Sequence, residues 1–220
     1  MEVQVRKMMY YFLSLLLDIP QEEFLRLICS MNLNSQCLQE VKQALPPELL
    51  NKFLYFLETI AEEQSNFQSF EDYFTSLSGE YARLFHYSRP RLVPPYESVY
   101  TEKRLFGERT MEIKRLYVAA GLEFRDPYNL PPDHIAYELE FMSYLCEQEE
   151  AYRGTILAEK AREMQREVVC RHLSDFAPEV ARRLKMYSKM RFYRLVGELL
   201  ESFMESEIAL FKCSDEKSAK

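Results

Sequence analysis

The chain has 220 residues, 47% hydrophobic and 29% charged, enough apolar side chain for a sizeable core and too much for a disordered chain. Five glycines, no two closer than fourteen residues, exclude the glycine-rich phosphate cradles of nucleotide-binding folds, and a net charge of −7 disfavours nucleic acid as a partner. No apolar run approaches the ~20 residues of a spanning helix. Residues 8–17 are too short to span and lack a small-residue cleavage site, so neither membrane insertion nor a secretory signal is expected.

Helical periodicity runs nearly throughout. Val5, Met8, Met9, Phe12, Leu15 and Leu16 recur at three- and four-residue spacing and predict a first helix. Pro20 fits the first turn of a second, with Glu22 and Glu23 at its positive end and Leu25 and Ile28 on its stripe. A short third helix is predicted over 38–45. Pro46 and Pro47 stop it and open a fourth through Leu49, Phe53, Phe56 and Ile60. Polar residues 62–69 separate this from a helix over 70–85. Residues 86–99, with Pro90, Pro94 and Pro95, form the longest irregular stretch. A helix over 111–120 ends at Gly121, and a second loop covers 122–131. Pro131, Pro132 and Asp133 open a strong helix to about residue 152, with Pro132 and Asp133 suited to its first turn. Helical patterning resumes after Gly154 to His172, breaks near Pro178 and runs on to Leu210. The expected fold class is all-α, a single-domain helical bundle over 1–212 with a polar, disordered tail over 213–220.

Chemistry-bearing patterns are few. The five cysteines are odd in number, widely spaced and form no C-x-x-C, so reduced thiols in a cytoplasm are the simplest expectation. Residues 133–150 carry six acids and no Lys or Arg, whereas 153–194 carry eleven bases and five acids. The two blocks either pair within the fold or leave an acidic surface for a basic partner. His134 and Glu138 share one helical face, but no E-x-x-H motif accompanies them, and His86 and His172 look isolated. No catalytic residue, metal or cofactor is therefore expected. A metal-dependent helical enzyme on His134 and Glu138 is the least favoured reading.

Two segments carry more information. In 93–100 (VPPYESVY), two prolines set an extended backbone and Tyr96 and Tyr100 flank Glu97. Aromatic area with a bidentate carboxylate suits a basic peptide, although the tyrosines could equally anchor the loop on the bundle. In 131–142 (PPDHIAYELEFM), Ile135, Leu139, Met142 and Cys146 form a core stripe, while Asp133, His134, Tyr137, Glu138 and Glu140 occupy the rest. Helix capping alone accounts for Asp133.

Together with Glu80-Tyr81-Ala82-Arg83-Leu84-Phe85, Gly107, Thr110, Tyr117, Gly121-Leu122 and His172-Leu173, these segments resemble the TorD/DmsD/NarJ family of molybdoenzyme chaperones. The resemblance covers about residues 73–178. It implies an all-helical, non-enzymatic, cytoplasmic protein, monomeric or a domain-swapped homodimer. Such a protein binds the twin-arginine signal peptide and the apo form of a molybdopterin oxidoreductase subunit, and so delays export until cofactor insertion. By the same resemblance Tyr81, Leu84, Phe85, Pro95, Tyr96, Asp133 and His134 are peptide-binding positions. Glu97, Tyr100 and Glu138 join them by sequence proximity and chemistry, with the acids for arginine and the rings for the apolar stretch. The alternative is a NarJ-like assembly chaperone for a non-exported subunit. Tyr96 and Phe176 stand where the family often has tryptophan, and His86-Tyr87-Ser88-Arg89 replaces its Gly-Pro.

Overall fold

The computed structural model describes residues 1–31, 36–123 and 130–213, and only the backbone of residues 36, 37 and 40. The described chain is helical: α1 (Val3–Leu17), α2 (Glu22–Cys29), α3 (Gln36–Ala44), α4 (Pro47–Ser65), α5 (Phe70–Ala82), α6 (Glu97–Thr101), α7 (Glu108–Ala119), α8 (Ile135–Ala151), α9 (Ile156–Glu167), α10 (Ser174–Tyr187) and α11 (Arg191–Phe211). Two π-helical turns extend α5 and α9, π1 (Arg83–Tyr87) and π2 (Val168–Leu173). Among the described residues extended pairing is limited to one isolated antiparallel bridge, Tyr96 with His134.

Local chemistry sets the boundaries. Ser69 caps α5 by accepting from the Asp72 N–H at 3.1 Å, and Thr155 caps α9 in the same manner. Pro47 occupies the start of α4, where its missing N–H is not needed. At α7 the cap comes from outside. The Glu102 carboxylate accepts from the N–H groups of Glu108 at 3.0 Å and Arg109 at 2.9 Å. Gly107 makes room for it, since a Cβ there would lie 2.1 Å from Glu102 Oε2.

α1 packs along α8, and α11 lies against both α10 and α4. Met9, Leu13 and Leu17 of α1, Phe56 and Ile60 of α4, Leu139 and Met142 of α8, and Val196, Leu199 and Phe203 of α11 are fully buried. Each such side chain contributes about 1.5–3 kcal/mol by leaving water. α10 and α11 approach closely at Gly197, where a Cβ would meet the Ala181 carbonyl at 2.7 Å. One buried ion pair crosses this core. Arg6 Nη2 reaches Glu207 Oε2 at 2.7 Å, with the Tyr10 hydroxyl donating to the same oxygen at 2.7 Å.

Five sequence expectations need correction. Pro178 does not break the helix. It is the fifth residue of α10, one turn past the change from π to α spacing, and the break falls instead at residues 188–190. Residues 86–99 are not irregular throughout, since α6 begins at Glu97. The strong helix starts at Ile135, with His134 as its N-cap and Asp133 outside it. The cysteines are not all thiols: Cys170 and Cys213 form a disulfide, because α11 returns its end to π2, which spacing in the chain does not reveal. Cys29 and Cys146 are free, and the Cys37 side chain lies outside the described residues. Cys213, expected in the tail, is buried; 214–220 lie outside the described residues.

Candidate functional site

The two informative segments are stitched together by backbone. Ile135 donates its N–H to the Pro95 carbonyl at 2.8 Å, and Glu97 donates to the Asp133 carbonyl at 3.0 Å. The Asp133 carboxylate then accepts from the Ser98 N–H at 2.8 Å, so it caps α6 and not its own helix. Tyr117 of α7 holds the junction from below by donating its hydroxyl to the Pro132 carbonyl at 2.9 Å. His134 Nδ1 accepts from the Ala136 N–H at 3.2 Å.

Rings converge on this junction. Tyr96 lies 5.3 Å from His134, which lies 5.0 Å from Tyr137. Tyr81 packs on Phe85 at 4.7 Å and His86 at 5.4 Å. The Arg91 guanidinium sits 5.6 Å from the Tyr96 ring centre. Leu84 accepts the Val93 N–H at 2.9 Å, which ties the proline stretch to π1. Burial raises the Tyr81 hydroxyl well above its ordinary range, and the nearby Asp18 carboxylate adds to this.

Beneath the junction lies a buried polar cluster. Glu97 Oε2 is 2.8 Å from His172 Nδ1, and Glu97 Oε1 is 3.7 Å from Arg109 Nε. Burial pushes the Glu97 carboxyl up, and His172 and Arg109 oppose that shift. Glu138 is pushed up further by burial, and the charges of Glu97 and Asp133 act in the same direction. Ligand atoms of Glu97, Glu138 and His172 lie within 4.8 Å of one another.

Eight of the ten expected site residues therefore belong to this junction and its rings, with Leu84 and Phe85 directly beneath Tyr81 and Pro95 in the stitch. Glu138 joins from α8 below. Tyr100 is more distant, 6.0 Å from Phe176 with the Arg183 guanidinium over its ring. These positions, expected to contact a peptide, are largely closed to solvent. Glu97, Asp133 and Glu138 are 0% exposed, and Tyr81, Leu84, Phe85, Pro95, Tyr96 and His134 are buried as well; Tyr100 alone of the ten is half-buried. The stitch contributes to this, since it turns the Asp133 carboxylate onto the Ser98 N–H and away from solvent. His134 turns its Nδ1 to the Ala136 N–H and so caps its own helix. His172 is not isolated but reaches Glu97 from a position 75 residues away.

A groove of about 490 Å³ runs between α1 and α8, walled by Met8, Tyr11, Glu140, Tyr144 and the Lys7–Glu147 ion pair, among others. Glu140 is exposed there, and among the described residues no basic side chain lies within ion-pair distance of it. Its carboxyl is pushed up by partial burial and by Asp18. Sequence reading placed Glu140 and Tyr137 in the motif without assigning them to the site. The one available signal was the helical offset, which sets Glu140 two residues beyond the buried face of Glu138. Nothing in the sequence marked Arg109.

The described chain is helical, its two motif segments meet at one ring-lined junction, and the comparisons with known proteins place this arrangement in the class of maturation chaperones. A family model described as nitrate reductase delta subunit matches residues 39–182, and the chain belongs to this family, the TorD/NarJ family of chaperones, which are not enzymes. It is 25% identical over 166 residues to the chaperone protein TorD of Vibrio cholerae, covering 69% of this chain and 76% of that protein. It is 30% identical over 131 residues to TorD of Escherichia coli, covering 60% and 61%. The fold is similar to the crystal structure of an Archaeoglobus fulgidus protein described as a redox enzyme maturation protein (TM-score 0.54, 24% identity, 91% and 93% of the chains covered). No helix among the described residues is long and apolar enough to cross a membrane.

Proposed function

We propose that the chain is a cytoplasmic chaperone that binds the twin-arginine signal peptide, and the apo form, of a molybdopterin oxidoreductase subunit and holds back its export until the cofactor is inserted. The observation that carries this reading is the Tyr96–His134 junction, where the family's two motif segments meet beside an acidic groove. The relatives' name, TorD, points to the same class of client.

In this reading the groove receives the leader. Glu140 offers carboxylate oxygens to the arginines, and Met8, Tyr11 and Tyr144 offer apolar area to the stretch that follows. Tyr81, Leu84, Phe85, Pro95, Tyr96 and His134 form the floor that sets Tyr137 and the start of α8, with Tyr100 supporting α6. Glu97, Asp133 and Glu138 act from beneath by holding the junction, since a guanidinium has no route to them in the closed form. Partial burial strengthens each arginine contact, because the local dielectric is lower than that of water.

Affinity capture from the native host tests the client class. Enrichment of a molybdopterin oxidoreductase subunit with an Arg-Arg leader supports the reading. A subunit lacking that leader favours a NarJ-like assembly chaperone for a non-exported enzyme, and capture of neither refutes both.

A further inference from the structure

Glu97 at the start of α6, Glu138 in the first turn of α8 and His172 in π2 are brought together from three elements, with ligand atoms inside 4.8 Å of one another. The two glutamates are fully buried, and His172 is 2% exposed. Both oxygens of Glu138 and Oε1 of Glu97 are buried without a hydrogen-bond partner, as is Oδ1 of neighbouring Asp133. Such oxygens are strongly unfavourable in an interior unless something positive meets them. Arg109 does not suffice. It stands 3.7 Å from Glu97 and is shared with Glu112 at 3.3 Å and Asp175 at 3.5 Å.

We propose that this cluster is a binding site for a divalent transition-metal cation, zinc being the best fit, held by one oxygen each of Glu97 and Glu138 and an imidazole nitrogen of His172. One nitrogen and two carboxylates are a borderline-hard donor set that suits zinc better than calcium or magnesium, which take oxygen alone. Bonds of about 2.0–2.2 Å at tetrahedral angles place ligand atoms about 3.4 Å apart, so the side chains draw in by about 1 Å on binding. The charges also close. Two glutamates balance the cation, and Arg109 keeps its pairs with Glu112 and Asp175. The bound ion pins α6, α8 and π2, and so braces from beneath the junction that carries Tyr96 and His134. Its effect is structural, with no reaction assigned to it, and it stands independently of the client peptide.

The test uses the full chain, stripped with a chelator and titrated with zinc against a chromophoric competitor, with thermal unfolding read alongside. The expected result is a single tightly held equivalent, a raised midpoint, and affinity weakened about 100-fold or more in Glu138→Gln and in His172→Gln. Cobalt bound to the unmodified chain gives a second reading that needs no variant. Ligand-field bands without a thiolate-to-cobalt absorption support the site. A thiolate band places the ion on Cys29, Cys37 or Cys146 and overturns the proposal. It is equally overturned if no zinc is retained, or if Glu138→Gln binds zinc as the unmodified chain does.

Discussion

The carboxylate of Asp133 accepts the Ser98 N–H at 2.8 Å, so the residue that the sequence places at the head of one helix caps another. This contact locks 95–98 against 133–135 and buries the acids between them. Loss of the carboxylate leaves a buried N–H unmet, which costs about 1–3 kcal/mol. Asp133→Ala is therefore expected to lower the unfolding free energy by that amount, read by urea denaturation. It is also expected to speed hydrogen exchange at the Ser98 amide, which mass spectrometry or NMR reads directly. An unchanged exchange rate at Ser98 contradicts the capping role.

The Arg6–Glu207 pair joins the first helix to the last. Arg6 is 1% exposed and Glu207 0%. Breaking such a pair from the Glu207 side leaves the buried Arg6 with Glu149 at 3.7 Å as its remaining carboxylate, and loss of a buried partner is worth about 3–5 kcal/mol. Glu207→Ala is expected to destabilise by that much, whereas Arg6→Met with Glu207→Leu is expected to recover most of the loss. Urea unfolding of the single and double variants decides it, and equal losses in both contradict the account.

Two glycines make a matched pair. A methyl at Gly197 meets the Ala181 carbonyl at 2.7 Å, whereas one at Gly79 meets nothing within 4 Å. Gly197→Ala is expected to cost about 1–3 kcal/mol by forcing α10 from α11. Gly79→Ala, within α5, is expected to gain about 0.5–1 kcal/mol from helix propensity. Thermal melts of both variants check the opposite signs.

Much of the fold was legible because helices declare themselves by period. The stripe of Ile135, Leu139, Met142 and Cys146 is buried as read, and Pro47 opens α4 as read. What stayed hidden are pairings across long separations. Arg6 with Glu207 and Cys170 with Cys213 depend on where α11 ends, which no local pattern encodes. The acidic 133–150 block pairs partly within the fold, as in Arg162–Glu149 and Arg153–Glu150. The site residues were legible as a set, because motif segments that must meet carry unusual residue density. Their exposure was not legible. Whether a carboxylate faces solvent or a backbone N–H depends on the Pro95–Ile135 hydrogen bond, and sequence does not show that bond.

Glu80 fastens α5 to the turn between α10 and α11, accepting from Arg83 Nε at 2.7 Å and from the Ser188 hydroxyl at 3.1 Å. Burial pushes its carboxyl up, but the hydrogen bonds from Arg83 and from the Lys189 N–H outweigh this and leave it below the usual value of 4.5. A carboxyl held low in the folded state contributes stability that is complete above its unfolded value and lost as pH falls through its folded one. The unmodified chain is expected to lose more stability than Glu80→Gln between about pH 5 and about pH 3. Parallel urea titrations across that window measure the difference, and equal slopes contradict it.

The central claim is recognition of a cationic leader at the groove that Glu140 flanks. Isothermal calorimetry of the full chain tests it with a synthetic peptide of two adjacent arginines followed by an apolar stretch, and with the same peptide carrying glutamine at both arginines. The account predicts binding of the first peptide, at least about tenfold weaker binding of the second, and a loss of about 1–2 kcal/mol in Glu140→Gln toward the first peptide only. Equal affinity for the two peptides, or no heat from either with the fold intact, contradicts it.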